Sequence, residues 1–170
     1  MHKYIKVISV RNPMYRCISM YNEIMKVRKD GNYKVTLASN FYRMRKNIRA
    51  SFCSFLNEIK DNFYDVHITH QYRYVTEKGL TLADMDHIII FEELESGLIS
   101  FFKKYNFPLR LEKINQSTNL WEVREIIRLI HSSPKIQKQI RELWSEDFEF
   151  YEEAKRLSAR SQQTESRIIL

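Results

Sequence analysis

Apolar positions along the chain fall into short runs and helical stripes. Val7, Ile8 and Val10 form a brief β-branched run, and residues 3–10 read as a strand. Met14, Cys17, Ile18, Tyr21, Ile24 and Met25 then recur at three and four, so residues 13–28 read as a helix with one inward face. Asn12 suits the N-cap, and Pro13 suits the first helical position, where no N–H is needed. Lys29-Asp-Gly31-Asn closes that helix with turn chemistry. Ser51 reads as the cap of a second helix that carries Phe52, Phe55, Leu56 and Ile59. Asp86-His-Ile-Ile-Ile-Phe91 is the second clear strand, and its three consecutive isoleucines ask for burial on both faces, as in a parallel sheet. A helix over 93–105 carries Leu94, Leu98, Ile99, Phe101 and Phe102. Trp121, Val123, Ile126, Ile127 and Ile130 mark another, and Ser133-Pro134 opens the next, with Ile136, Ile140, Leu143 and Trp144. The expected architecture is α/β, a parallel sheet flanked by helices. It spans residues 1–151 as one domain, with 152–170 as a polar C-terminal helix end or tail.

Composition narrows the partners. The 170 residues suffice for one domain with a real core. A formal charge of +7 and a pI near 9.4 favour an anionic partner. A nucleotide, an acidic glycan, nucleic acid and a membrane surface all satisfy that charge. Cys17 and Cys53 are the only cysteines, and Cys17 lies on the apolar face of the first helix, which predicts a buried thiol rather than a disulfide. The histidines are scattered and no Cys-x-x-Cys occurs, so no metal is expected. The start, Met-His-Lys-Tyr-Ile-Lys, is too short and charged for a signal peptide, and no apolar run approaches a membrane span. These features predict a cytoplasmic protein.

The candidate chemistry begins at the first strand's end. Arg11 leaves that strand, while Arg16 and Ser19 project from the first two turns of the helix. Two guanidinium forks, a hydroxyl and a helix N-terminus can converge on one anion, as a phosphate site requires. The plainer reading is a surface arginine pair beside an ordinary strand–helix unit. His67, His70 and Glu92 are candidates for a general base. An imidazole titrates in the right range, and Glu92 sits at a strand's carboxyl end, where α/β sheets place their sites. Gln71 and the histidines serve equally to hold their loop, and Glu92 to cap the helix that follows. Arg43, Arg45, Lys46 and Arg49 cluster within a basic stretch that reads as a solvated face or as a rim drawing in an acidic substrate.

Arg11-Asn-Pro-x-x-Arg16-x-x-Ser19-x-Tyr resembles the 3′-phosphate-binding motif of the sulfotransferases, in the form closest to the carbohydrate-type enzymes and their bacterial relatives. Further segments follow in the family's order: Ser51-Phe-x-x-Phe-Leu56, His67-x-x-x-Gln71, Asp86-x-Ile-x-x-Phe91-Glu92-x-Leu94, Leu111-x-x-x-Asn115-x-Ser117 and Asp147-Phe-Glu. Trp144 stands where the family's closing segment usually has Tyr. The resemblance implies a P-loop nucleoside-triphosphate-hydrolase-like fold and transfer of a sulfuryl group from 3′-phosphoadenosine-5′-phosphosulfate (PAPS) to a hydroxyl acceptor, on a carbohydrate. It implies that Arg11 and Ser19 hold the 3′-phosphate and that Arg16 supports them. It also places Asn115 and Ser117 near the nucleotide and gives the proton-accepting step to a His or a Glu.

The family's preceding strand and its Pro-Lys-Thr-Gly-Gly-Thr loop, which binds the 5′-phosphosulfate, have no counterpart here. The glycines are Gly31, Gly79 and Gly97, and no Gly-Lys pair occurs. The fold is therefore expected to be N-terminally incomplete, with weak or absent activity for this chain alone and self-association through an uncovered sheet edge. The alternative is a non-enzymatic basic module that binds nucleic acid or another polyanion around Arg43, Arg45, Lys46 and Arg49. Under the sulfotransferase reading, nucleic acid is not expected.

Overall fold

The computed structural model describes residues 4–27, 47–60, 69–108 and 120–168. The strands are β1 (Val7–Val10) and β2 (His87–Ile90). The longer helices are α1 (Pro13–Val27), α2 (Ile48–Ile59), α3 (Leu94–Lys104), α4 (Leu120–Ser132), α5 (Pro134–Leu143) and α6 (Ser145–Ile168). The described residues make a mostly helical α/β structure with a small parallel sheet of two strands. None of their helices is long and apolar enough to cross a membrane. The chain divides into two compact units, one of residues 1–13, 70–114 and 146–170, the other of 14–69 and 115–145.

In the first unit β1 and β2 run parallel, with Val7 opposite His87 and Val10 opposite Ile90. Of the described residues in the expected strand 3–10, Val7–Val10 form β1. Before it, the Asp86 carboxylate accepts the Lys6 N–H at 2.9 Å, while the Lys6 carbonyl accepts the Asp86 and His87 N–H groups at 2.9 and 3.2 Å. Alternation along β2 sends its residues to two faces, as the isoleucine run predicts. Val10 and Ile90 join Leu82, Tyr151 and Ala154 in one core cluster, with Ile8, Ile88, Phe150 and Leu157 packed against it. The polar stretch after Tyr151 thus still contributes Ala154 and Leu157 to the core. On the other face Ile89 lies so close to Gly97 of α3 that a Cβ there would sit 2.8 Å from Ile89 Cγ2. His87 shares this face, its Nε2 at 3.3 Å from the Gly97 carbonyl and its ring 5.3 Å from that of Phe101.

The described elements of the second unit are all helical. The Tyr21 ring of α1 meets Phe52 and Phe55 of α2 edge-on at 5.4 and 5.5 Å. Helices α2, α4 and α5 pack together around Phe55, Leu56, Ile126, Ile130 and Ile140, all fully or nearly fully buried. Cys17 is a free, buried thiol. The second helix does not start where expected. Asn47 caps it, its Oδ1 accepting the Ala50 N–H at 3.0 Å. Ser51 lies inside α2, fully buried, its hydroxyl 2.8 Å from that of Tyr21.

Candidate functional site

Parallel pairing brings the carboxyl ends of β1 and β2 side by side, with Arg11 following Val10 and Phe91 following Ile90. The Arg11 guanidinium lies over the Phe91 ring, 4.5 Å from its centroid. One residue further, the Asn12 N–H donates to Glu92 Oε1 at 3.0 Å. The second oxygen, Oε2, accepts from the Tyr151 hydroxyl of α6 at 3.2 Å. Burial and then the Glu92 charge push the Tyr151 phenol up to about 12, so it stays a donor. Glu92 therefore joins the end of β1 to α6, and its residue remains exposed.

Gln71 fixes the backbone of Arg11. Its Oε1 accepts the Arg11 N–H at 2.9 Å, and its Nε2 donates to the Arg11 carbonyl at 2.8 Å. One side-chain amide thus serves as a strand segment where β1 ends, and satisfies both backbone groups of a half-buried residue. Gln71 is itself buried, as is its neighbour His70. His70 Nδ1 lies 3.8 Å from Oδ2 of Asp147, a carboxylate with no exposed surface. Asp147 Oδ1 accepts the Tyr72 N–H at 3.2 Å.

The structure thus brings Arg11, Gln71 and Glu92 to one strand end of the first unit, with His70 held against Asp147. Arg16 and Ser19 belong to the second unit, on α1. There the Arg16 Nη2 donates to the Thr69 carbonyl, which ties the helix to the chain just before His70. Ser19 is half-buried in the second turn. His67, Asn115 and Ser117 lie outside the described residues, as do Arg43, Arg45 and Lys46, while Arg49 is exposed on α2. Sequence reasoning gave Tyr151 no role and Asp147 no partner. The Asp-Phe-Glu segment was the only signal for Asp147, and nothing local distinguished Tyr151 from other helical aromatics.

A protein-family model described as the sulfotransferase family matches residues 1–152. The chain belongs to the sulfotransferase family. A search of curated proteins gave no match, and a search of solved structures gave none either. The chemistry of a sulfotransferase is sulfuryl transfer, with a sulfate donor and a hydroxyl acceptor in general. At the end of β1, Arg11 thus combines a backbone held by Gln71 with a guanidinium that lies over the Phe91 ring.

Proposed function

We propose that this sulfotransferase-family chain binds PAPS and that Arg11 holds the 3′-phosphate. The observation that carries the reading is the double hydrogen bond from Gln71 to the Arg11 backbone, which fixes the root of that side chain at a strand end. A planar, permanently charged fork suits a phosphate dianion in charge and geometry. By the sequence motif Ser19 adds a hydroxyl donor to the same phosphate, and Arg16, which donates to the Thr69 carbonyl, supports the helix that carries it. Asn115 and Ser117 join the nucleotide's surroundings on the strength of sequence alone. A P-loop-like parallel sheet flanked by helices is the fold that goes with this reading, and two parallel strands with a helix on either face are consistent with it.

PAPS bound there would supply the sulfuryl group, with 3′-phosphoadenosine-5′-phosphate as the leaving group. The acceptor is proposed to be a carbohydrate hydroxyl, and its proton is proposed to pass to His67, His70 or Glu92. The His70 ring is buried beside Asp147, and both Glu92 oxygens accept from groups that hold the fold. Calorimetric titration with 3′-phosphoadenosine-5′-phosphate against 5′-AMP tests the donor site. Binding that requires the 3′-phosphate at fixed salt is the expected result. Equal, steeply salt-dependent binding of both would favour a polyanion-binding module instead.

A further inference from the structure

We infer that Asp147 is a positioning residue for Arg11, acting through the loop that carries Gln71; this rests on the donor-site reading above. Asp147 stands in the first turn of α6 and is fully buried. A buried carboxylate is retained only where charge and hydrogen bonds compensate its desolvation. Here the compensation comes from its helix N-terminus and from the segment around Gln71. Oδ1 takes the Tyr72 N–H at 3.2 Å and Oδ2 faces His70 Nδ1 at 3.8 Å, one residue to either side of Gln71. The same segment then closes into a helical turn, Arg73–Thr76, with the Arg73 N–H on the His70 carbonyl and the Tyr74 N–H on the Gln71 carbonyl. Gln71 thus sits between a residue hydrogen-bonded to Asp147 and one packed beside it, and its amide reaches the Arg11 backbone at 2.8 and 2.9 Å. In this scheme Asp147 acts through Gln71 rather than on the substrate. It sets the angle from which Gln71 holds Arg11.

The test separates this brace from general destabilisation and from the donor-site reading. Amide hydrogen exchange is followed at Arg11, whose N–H lies on Gln71 Oε1, in the wild type, Asp147→Asn, His70→Gln and Gln71→Ala. Exchange at the β2 amides is the internal control. Asp147→Asn keeps the size of the side chain and an acceptor oxygen. It is expected to speed Arg11 exchange roughly tenfold, with β2 nearly unchanged, and His70→Gln is expected to act in the same direction. In the double variant with Gln71→Ala the Asp147 effect on Arg11 should largely disappear, because the route through Gln71 is gone. Arg11 exchange that responds to Gln71→Ala but to neither Asp147→Asn nor His70→Gln would overturn the inference. So would a uniform rise across Arg11 and β2. A parallel titration with 3′-phosphoadenosine-5′-phosphate reports the function: the variants should lose preference over 5′-AMP. No preference in the wild type would remove the donor site while leaving the exchange result to decide the brace.

Discussion

Gln71 and Arg11 lie 60 residues apart in sequence, yet one side-chain amide meets both the N–H and the carbonyl of the other residue's backbone. The contact ends β1 and anchors the guanidinium that rests on Phe91. Replacing Gln71 by Ala leaves two half-buried backbone groups without this partner. The expected loss is about 1–3 kcal/mol of stability, seen as a lower urea midpoint. An unchanged midpoint would show that water replaces the amide without penalty.

Gly97 is where α3 presses on the sheet. A Cβ there would stand 2.8 Å from Ile89 Cγ2, so Gly97→Ala should destabilise by about 1–3 kcal/mol despite alanine's better helix propensity. Thermal melting of Gly97→Ala, Ile89→Ala and the double variant checks the cause. The double variant should be less destabilised than the sum of the singles, since the smaller residue at 89 makes room for the new methyl.

Cys17 has no exposed surface, and burial pushes its thiol well above the ordinary range, against a smaller opposing effect of the nearby Arg16 charge. In the folded protein Cys17 should resist alkylation at neutral pH, while the half-buried Cys53 reacts first. Mass spectrometry of tryptic peptides after a timed iodoacetamide pulse distinguishes the two. Equal labelling before denaturant is added would contradict the packing of α1.

Tyr151 gives an alkaline signature. Its folded value lies near 12 against an ordinary 10.0, so folding favours the neutral phenol. That stabilisation is complete below about pH 10 and is lost as pH rises toward 12, because the unfolded chain ionises first. Melting temperatures across this window should fall less steeply in Tyr151→Phe than in the wild type. The same slope in both would place the titrating group elsewhere.

The sequence pattern foretold the parallel strand pair and most helix positions, because each rested on local signals. Pro13 and Pro134 mark helix starts, and the isoleucines of β2 alternate between two covered faces. Boundaries were less legible. Asn47 caps α2 ahead of Ser51, which instead faces Tyr21, 30 residues away in sequence. The charged members of the candidate site stand out in the sequence. Arg11 and Glu92 announced themselves at strand ends, but their partners Gln71 and Tyr151 lie 60 and 59 residues away. Such pairings come from topology, and no local spacing encodes them.

The most direct test of the account is the affinity of 3′-phosphoadenosine-5′-phosphate, measured by calorimetry at fixed ionic strength for the wild type, Arg11→Ala and Arg11→Lys, with 5′-AMP alongside. The account predicts that Arg11→Ala weakens binding of the 3′-phosphorylated nucleotide by roughly 10–100-fold and leaves 5′-AMP almost unaffected. Arg11→Lys should recover only part of the loss, since a point charge cannot reproduce the fork. If a folded Arg11→Ala protein binds both nucleotides as the wild type does, Arg11 does not hold the 3′-phosphate and the central claim fails.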